Sequence, residues 1–290
     1  MPDLLISIVV SALVLGALYS LLASGLSLVW STLGVFNYAQ GAMLVVGGYL
    51  IWTLAVPGNI PVLLAFLLAL PLTALAGLLI ELTAVRPLLR RPNGSLLVMV
   101  STLAIANAIQ GVAQLIWGPL DLRIPPFTTA TIALGGVRMA WTSVAAVILA
   151  LVLIIGLVLL LTRTEWGASI RAVEQNRTMS LLVGIRPTVV YATVFAVAAV
   201  LACAAAFVYG TSSTLTPDAG SEPLLTAFVV LVFGGSRTLW GTLVGGFAIG
   251  LLNAATAALL GLQWSSIAVF VLLVLIMLVR PEGLIKGRTS

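Results

Sequence analysis

The chain has 290 residues, 13 Lys+Arg against 8 Asp+Glu, a net charge of +5 and no histidine. It is 61% hydrophobic and only 7% charged, with a mean hydropathy of +1.24, whereas soluble domains carry roughly 25% charged residues. So few charges cannot clothe a water-soluble surface, which excludes a soluble enzyme, a nucleic-acid binder and a disordered chain. The missing histidine removes His acid–base catalysis, His metal sites and haem ligation by His. The one cysteine, Cys203, lies in an apolar run, so no intrachain disulfide or cysteine metal cluster is expected. The basic balance reads as basic loops on one side of a membrane.

A hydrocarbon core of roughly 30 Å is crossed by about 20 apolar residues in a helix. In chain order the candidate spans are 4–30, 34–56, 60–84, 95–116, 141–162, 188–210, 222–236, 239–260 and 264–280. These runs are too long and continuous for barrel strands of about ten alternating residues. The first is preceded only by Met1, Pro2 and Asp3. Without a basic leader, and longer than a signal-peptide core, it is expected to be retained. The expected fold is an all-α integral membrane protein, a polytopic bundle of about 8–9 transmembrane helices with discontinuous helices, forming a single domain over 1–290.

Two stretches are rich in glycine and polar residues for membrane depth. The first is Gly34-Val35-Phe36-Asn37-Tyr38-Ala39-Gln40-Gly41, followed by Gly47-Gly48. The second runs from Gly234-Gly235-Ser236-Arg237 through Gly241, Gly245, Gly246 and Gly250. Irregular backbone at that depth is tolerated where it lines a cavity or the protein interior, and broken helices mark the substrate path of many transporters. The alternative is close helix packing, since Gly241/Gly245 and Gly246/Gly250 have GxxxG spacing. Packing is favoured for the second stretch. A functional break is favoured for the first, because Asn37 and Gln40 need polar partners there.

The segment 163–187 is the one long charged connection. Trp166, Ile170 and Val173 recur at i, i+4 and i+7, one face of a short helix, with Arg171, Glu174, Gln175 and Arg177 mostly off it. Gly184 suits a helix stop and Pro187 a helix start. This predicts a short amphipathic helix pair at the membrane surface, either resting on lipid headgroups or docking a soluble partner. Its length and mixed charge favour docking. With this segment inside the cell, the inner side holds eleven of the basic residues: Arg86, Arg90, Arg91, Arg163, Arg171, Arg177, Arg186, Arg237, Arg280, Lys286 and Arg288. The outer side holds two, Arg123 and Arg138. With 222–236 as a span the bias predicts an outer N-terminus and a cytoplasmic C-terminus; with 222–236 as a re-entrant hairpin, one terminus changes sides.

No GxxxxGK[ST], HExxH, GxSxG or CxxC occurs, so no nucleotide loop or catalytic motif is expected in this chain. Glu81, five residues before Arg86, reads as a snorkelling carboxylate near the end of its span. The near absence of intramembrane acids lowers the case for a proton-coupled carrier and fits a transporter energised by a separate subunit.

Several segments resemble the LivH-type permeases of branched-chain amino acid ABC transporters. Leu33 to Met43 is similar to their "GVINFAHG" segment, with Gln40 where the family often has His. Trp166 to Arg177, with Leu182-Val183-Gly184-Ile185, resembles their cytoplasmic coupling loop. Gly234 to Gly246 resembles their Gly-rich region, and Val279-Arg280-Pro281-Glu282-Gly283-Leu284 their tail. The resemblance covers essentially the whole chain in order. It implies a bacterial plasma-membrane permease, not itself an enzyme, that translocates Leu, Ile or Val by ATP-driven alternating access. Urea or a short amide is the alternative solute, and a stand-alone secondary carrier the alternative class. The implied partners are a second, similar permease in a heterodimer, two ATPase subunits, an extracytoplasmic solute-binding protein and membrane lipid, with no nucleic acid. No cofactor is implied in this chain, ATP and Mg residing on the ATPases. The coupling residues so implied are Trp166, Gly167, Arg171, Glu174, Asn176 and Gly184 within 163–187. Gly167 is expected to allow close approach to the ATPase, and Trp166, Ile170 and Val173 to anchor the other face on the permease. The path or gate is expected at Asn37, Gln40, Gly41, Gly234 and Gly235.

Overall fold

The structure is a computed structural model that describes residues 2–119, 121–128, 130–134, 137–235 and 239–279. In chain order come α1 (Pro2–Leu33), α2 (Ala39–Ala55) and α3 (Val62–Ile80). A π-helical turn, Glu81–Val85, carries α3 into α4 (Arg86–Leu88), followed by α5 (Gly94–Trp117). Two short strands, β1 (Thr131–Leu134) and β2 (Val137–Ala140), pair antiparallel with Thr131 opposite Ala140. The rest is helical: α6 (Trp141–Arg163), α7 (Glu165–Gln175), α8 (Arg177–Leu182), α9 (Pro187–Ser212), α10 (Ser221–Gly234), α11 (Leu239–Leu259) and α12 (Leu262–Val279).

Every candidate span falls on an apolar helix. Six helical stretches are long and apolar enough to cross a membrane, and α2, α10 and α12 are shorter apolar helices. The hairpin is the addition to the all-helical expectation. Its four-residue strands are too short to leave a period in the sequence. The connection before it is tied down at Leu122, whose N–H and C=O pair with Leu215, and at Ile124, whose N–H donates to the Gly210 carbonyl at 3.2 Å.

The bundle is organised around α9, the most deeply buried of the six long apolar helices. Small residues let its neighbours approach closely, the usual basis of helix association in lipid. A Cβ added at Gly47 of α2 would lie 2.8 Å from the Cys203 backbone, and one at Gly77 of α3 would lie 2.7 Å from the Phe195 carbonyl oxygen. On the other side α1 packs antiparallel to α11. Gly16 meets Phe247 and Gly250, Ser20 meets Gly246, and Asn253 Nδ2 donates to the Tyr19 hydroxyl at 3.1 Å. Lipid-facing positions are correspondingly apolar, as Leu64, Leu68 and Leu75 of α3 show. The 26 residues of α9, at about 1.5 Å each, separate its ends by about 39 Å. The α7–α8 pair sits at one end of the bundle and the 213–220 segment at the other.

Candidate functional site

The first glycine-rich stretch is a true break. Gly34 has φ +69°, a conformation glycine adopts without steric cost, and α1 stops there. The next four residues are not helical, and Val35, Phe36 and Asn37 are buried. Their backbone is satisfied locally. Asn37 Oδ1 accepts from the Ala39 N–H at 3.1 Å, an Asx turn that starts α2, and the Tyr38 N–H donates to Thr102 Oγ1 at 3.3 Å. Thr102 lies about 12 Å along α5 from Gly94, so α2 begins inside the bundle. Gln40 Nε2 crosses to α9 and donates to the Ala198 carbonyl at 2.9 Å, while Gln40 Oε1 is buried without a hydrogen-bond partner.

Beside this start lies a cavity of about 220 Å³ between α2, α5 and the first turn of α10. Tyr38 and Gly41 line it, and so do Asn107, Gln110 and Ser221. Gly41 is required by the neighbour. A Cβ there would lie 2.5 Å from the Gly220 carbonyl oxygen, and one at Gly220 would meet the Gly41 carbonyl. The beginnings of α2 and α10 therefore touch backbone to backbone. A second cavity, about 480 Å³, adjoins along α5 toward Gln114 and Asp218.

Of the residues expected at the path, Gly41 lines the first cavity, whereas Asn37 and Gln40 are turned into the protein. Gly234 and Gly235 stand elsewhere. Gly234 is buried where a Cβ would meet the Gly241 carbonyl, and Gly235, with φ +88°, ends α10. Gly234 brings α10 and α11 together, the packing arrangement favoured for that stretch. Ser236, Arg237 and Thr238 lie outside the described residues, as do Arg280, Lys286, Arg288 and the tail segment 280–284. The residues missed from the sequence are Asn107, Gln110 and Gln114. Their i, i+3, i+7 spacing is one polar stripe on α5, a signal present in the sequence but outweighed there by the glycine clusters.

The 163–187 segment is a helix pair, α7 and α8. Thr164 Oγ1 accepts from the Gly167 N–H at 3.1 Å and caps α7, and Asn176 Oδ1 accepts from the Thr178 and Met179 N–H groups to cap α8. Gly184, with φ +82°, stops α8, and Pro187 begins α9. Arg177 lies over the Tyr191 ring at 5.7 Å, a cation–π contact that ties α8 to α9. Ile170 and Val173 are buried. Two expectations are corrected. Gly167 is buried against Leu161, so the close approach it permits is to α6, because the Thr164 cap folds α7 back on the end of α6. Trp166 is 50% exposed and belongs to the outer face with Arg171, not to the anchor. Beyond it Met179, Leu181, Leu182 and Val183 are also exposed.

Glu81 is corrected as well. Its side chain is fully buried, and Arg86 Nε and Nη2 donate to Oε1 and Oε2 at 3.1 and 3.0 Å. Arg86 Nη2 also reaches the Thr188 carbonyl of α9 at 3.3 Å. The intervening turn is π-helical, and the Arg86 N–H bonds the Glu81 carbonyl. The i→i+5 pattern brings two residues five apart onto one face.

Interrupted helices beside a half-open cavity, within a polytopic helical membrane chain, are the construction of a solute-transport protein. A family model described as branched-chain amino acid transport system / permease component matches residues 8–279, and the chain belongs to that family. The high-affinity branched-chain amino acid transport system permease protein BraD of Pseudomonas aeruginosa is 28% identical over 290 residues, 95% of this chain and 94% of that one. The corresponding protein LivH of Escherichia coli K12 is 26% identical over 285 residues, 93% of this chain and 92% of its own. A solved chain of PsaBC from Streptococcus pneumoniae in complex with Fab superposes with a TM-score of 0.49 and 11% identity, over 94% of this chain and 91% of that one.

Proposed function

We propose that this chain is the membrane permease subunit of an ATP-driven importer of branched-chain amino acids. The observation that carries the proposal is the family match across residues 8–279. The solute path runs past the cavity at Gly41, with Asn37 and Gln40 holding the start of α2, Gly234 holding α10 against α11 and Gly235 ending α10. An ATPase pair docks on the α7–α8 face through Trp166, Arg171, Glu174 and the exposed side chains of α8, while Gly167, Asn176 and Gly184 shape the pair. The chain pairs with a second permease, and a solute-binding protein delivers from the far end. ATP and Mg reside on the ATPases. The basic residues at the α7–α8 end, Arg90, Arg91, Arg163, Arg171 and Arg177 among them, support a cytoplasmic placement of that end in the bacterial inner membrane.

The test is reconstitution of the chain with its genomic partners in proteoliposomes. ATP-dependent uptake of leucine and valine, with little uptake of urea or acetamide, is expected. Uptake confined to urea or acetamide would overturn the solute. Equal uptake without ATP would overturn the importer in favour of a carrier.

A further inference from the structure

The two half-open cavities beside α5 adjoin as two chambers with unlike walls. The inner chamber is walled mainly by apolar groups, among them Ala42, Val45, Leu103, Ile109 and Leu224. At about 220 Å³ it falls below the roughly 300 Å³ at which drug-sized pockets begin, so it fits a small solute. The larger chamber is lined by Gln114, Thr216 and Asp218 and lies toward the end of the bundle that holds the 213–220 segment, away from α7–α8. Asn107, Gln110 and Pro217 line both chambers and make the neck between them. Across the neck Gln110 Nε2 stands 3.5 Å from Ser221 Oγ, a contact long enough to part readily.

Asp218 is the only charged side chain lining either chamber among the described residues. Thr216 Oγ1 donates to its Oδ1 at 2.7 Å, which fixes the carboxylate, and no Lys or Arg forms a salt bridge with it among the described residues. An orienting donor with no protein cation leaves a place for a cation from solution. Behind it come two amides and then an apolar chamber. The sequence of walls matches a molecule with an ammonium group at one end and a branched hydrocarbon at the other.

We propose that Asp218 receives the ammonium group of the solute at the mouth and that the inner chamber receives its apolar side chain. The permease itself thereby selects amine-bearing apolar solutes over neutral amides and ureas. The inference rests on the reading of this chain as a solute permease given above. A carboxylate attracts an ammonium group through its charge, whereas a neutral amide offers only a dipole, and at a half-open site such a pair changes affinity by about fivefold.

The experiment uses the reconstituted complex with leucine-loaded binding protein at fixed concentration. Leucine uptake is challenged with isopentylamine, which keeps the ammonium group and the branch, or with 4-methylpentanamide, which is neutral. A parallel titration confirms that neither displaces leucine from the binding protein at the concentrations used. Isopentylamine is expected to inhibit the native complex. Asp218→Asn should raise its half-inhibitory concentration about fivefold and leave that of the amide where it was. Ala106→Leu, which fills the inner chamber from α5, should lower leucine uptake more than alanine uptake. Equal inhibition by amine in native and Asp218→Asn complexes, or none in the native complex, overturns the inference. Failure of the native complex to carry leucine at all overturns the reading of the chain instead. Should Asp218→Asn not assemble, Asp218→Cys in a Cys203→Ser background is modified after assembly. An anionic methanethiosulfonate should then restore amine inhibition and a cationic one should not; the reverse order overturns the proposal.

Discussion

Replacing Arg86 by Ala should be among the most damaging single changes in this chain. The substitution deletes both donors to the Glu81 carboxylate and the bond to Thr188. Glu81 is fully buried on the π turn, so its charge is left without a partner. Removing one member of a buried ion pair costs about 3–5 kcal/mol, most of it the uncompensated charge. The Arg86 side chain is itself 34% exposed, so solvent reaches one flank and the lower figure, about 3 kcal/mol, is appropriate. At about 2–4 °C per kcal/mol for a chain of this order, the midpoint should fall by roughly 6–12 °C. The double change Glu81→Leu with Arg86→Leu should cost far less, because an apolar pair of similar volume often replaces a buried ion pair at little loss. Thermal unfolding of the detergent-solubilised chain, followed by monodispersity on size exclusion, measures both. The coupling comes from the cycle of Glu81→Leu, Arg86→Leu and the two together. A fall below about 2 °C for Arg86→Ala, or additivity of the two single changes, would refute the pair as a structural bond.

Three further outcomes can be measured directly. Single cysteines at Ser169 and Ser213 in a Cys203→Ser background should label unequally with an impermeant maleimide on intact cells, Ser213 reacting and Ser169 not; the reverse inverts the orientation. Gln40→Leu should shift the thermal midpoint little. It loses one interhelical hydrogen bond of about 0.6–2 kcal/mol, but it also removes the unpaired Oε1, whose burial costs about 1–3 kcal/mol. Leu182→Asp, at a position 78% exposed, should leave the fold within about 0.5 kcal/mol yet reduce co-purification of the proposed ATPase partners, and undiminished co-purification would remove α8 from the proposed docking face.

What the sequence reveals here follows from what has a period. Long apolar runs can satisfy their backbone in lipid only as helices, so span positions were readable and helix ends fall within a few residues of the runs. The break before α2 was readable because Gly34, Asn37 and Gln40 are out of place at membrane depth. The bond between Glu81 and Arg86 was not. In an α-helix residues five apart lie about 140° around the axis, and nothing in Glu-Leu-Thr-Ala-Val announces that the turn is π-helical. Trp166 misled for another reason. Its spacing with Ile170 and Val173 fits a buried face, but Gly167 shares that face with them equally well, and a large apolar residue need not be inside. Only the Thr164 cap, which sets where α7 starts relative to α6, decides between the two.

The same contacts suggest how motion at α7–α8 reaches the cavity in the proposed importer. Arg177 stacks on Tyr191, so α8 is fastened to the first turns of α9. In the same first turns α9 accepts from Arg86 at Thr188; further along it accepts from Gln40 at Ala198 and meets Gly47 at Cys203. Each of the last two contacts grips α2, whose first turn lines the inner chamber through Gly41. A displacement of α9 along its axis would therefore carry the start of α2 with it. Gly41 and Gly220 touch through backbone atoms, with no side chain between them to absorb the shift. The chamber wall would then move against α10 as a rigid step, since tightly packed contacts pass between discrete arrangements more readily than they deform.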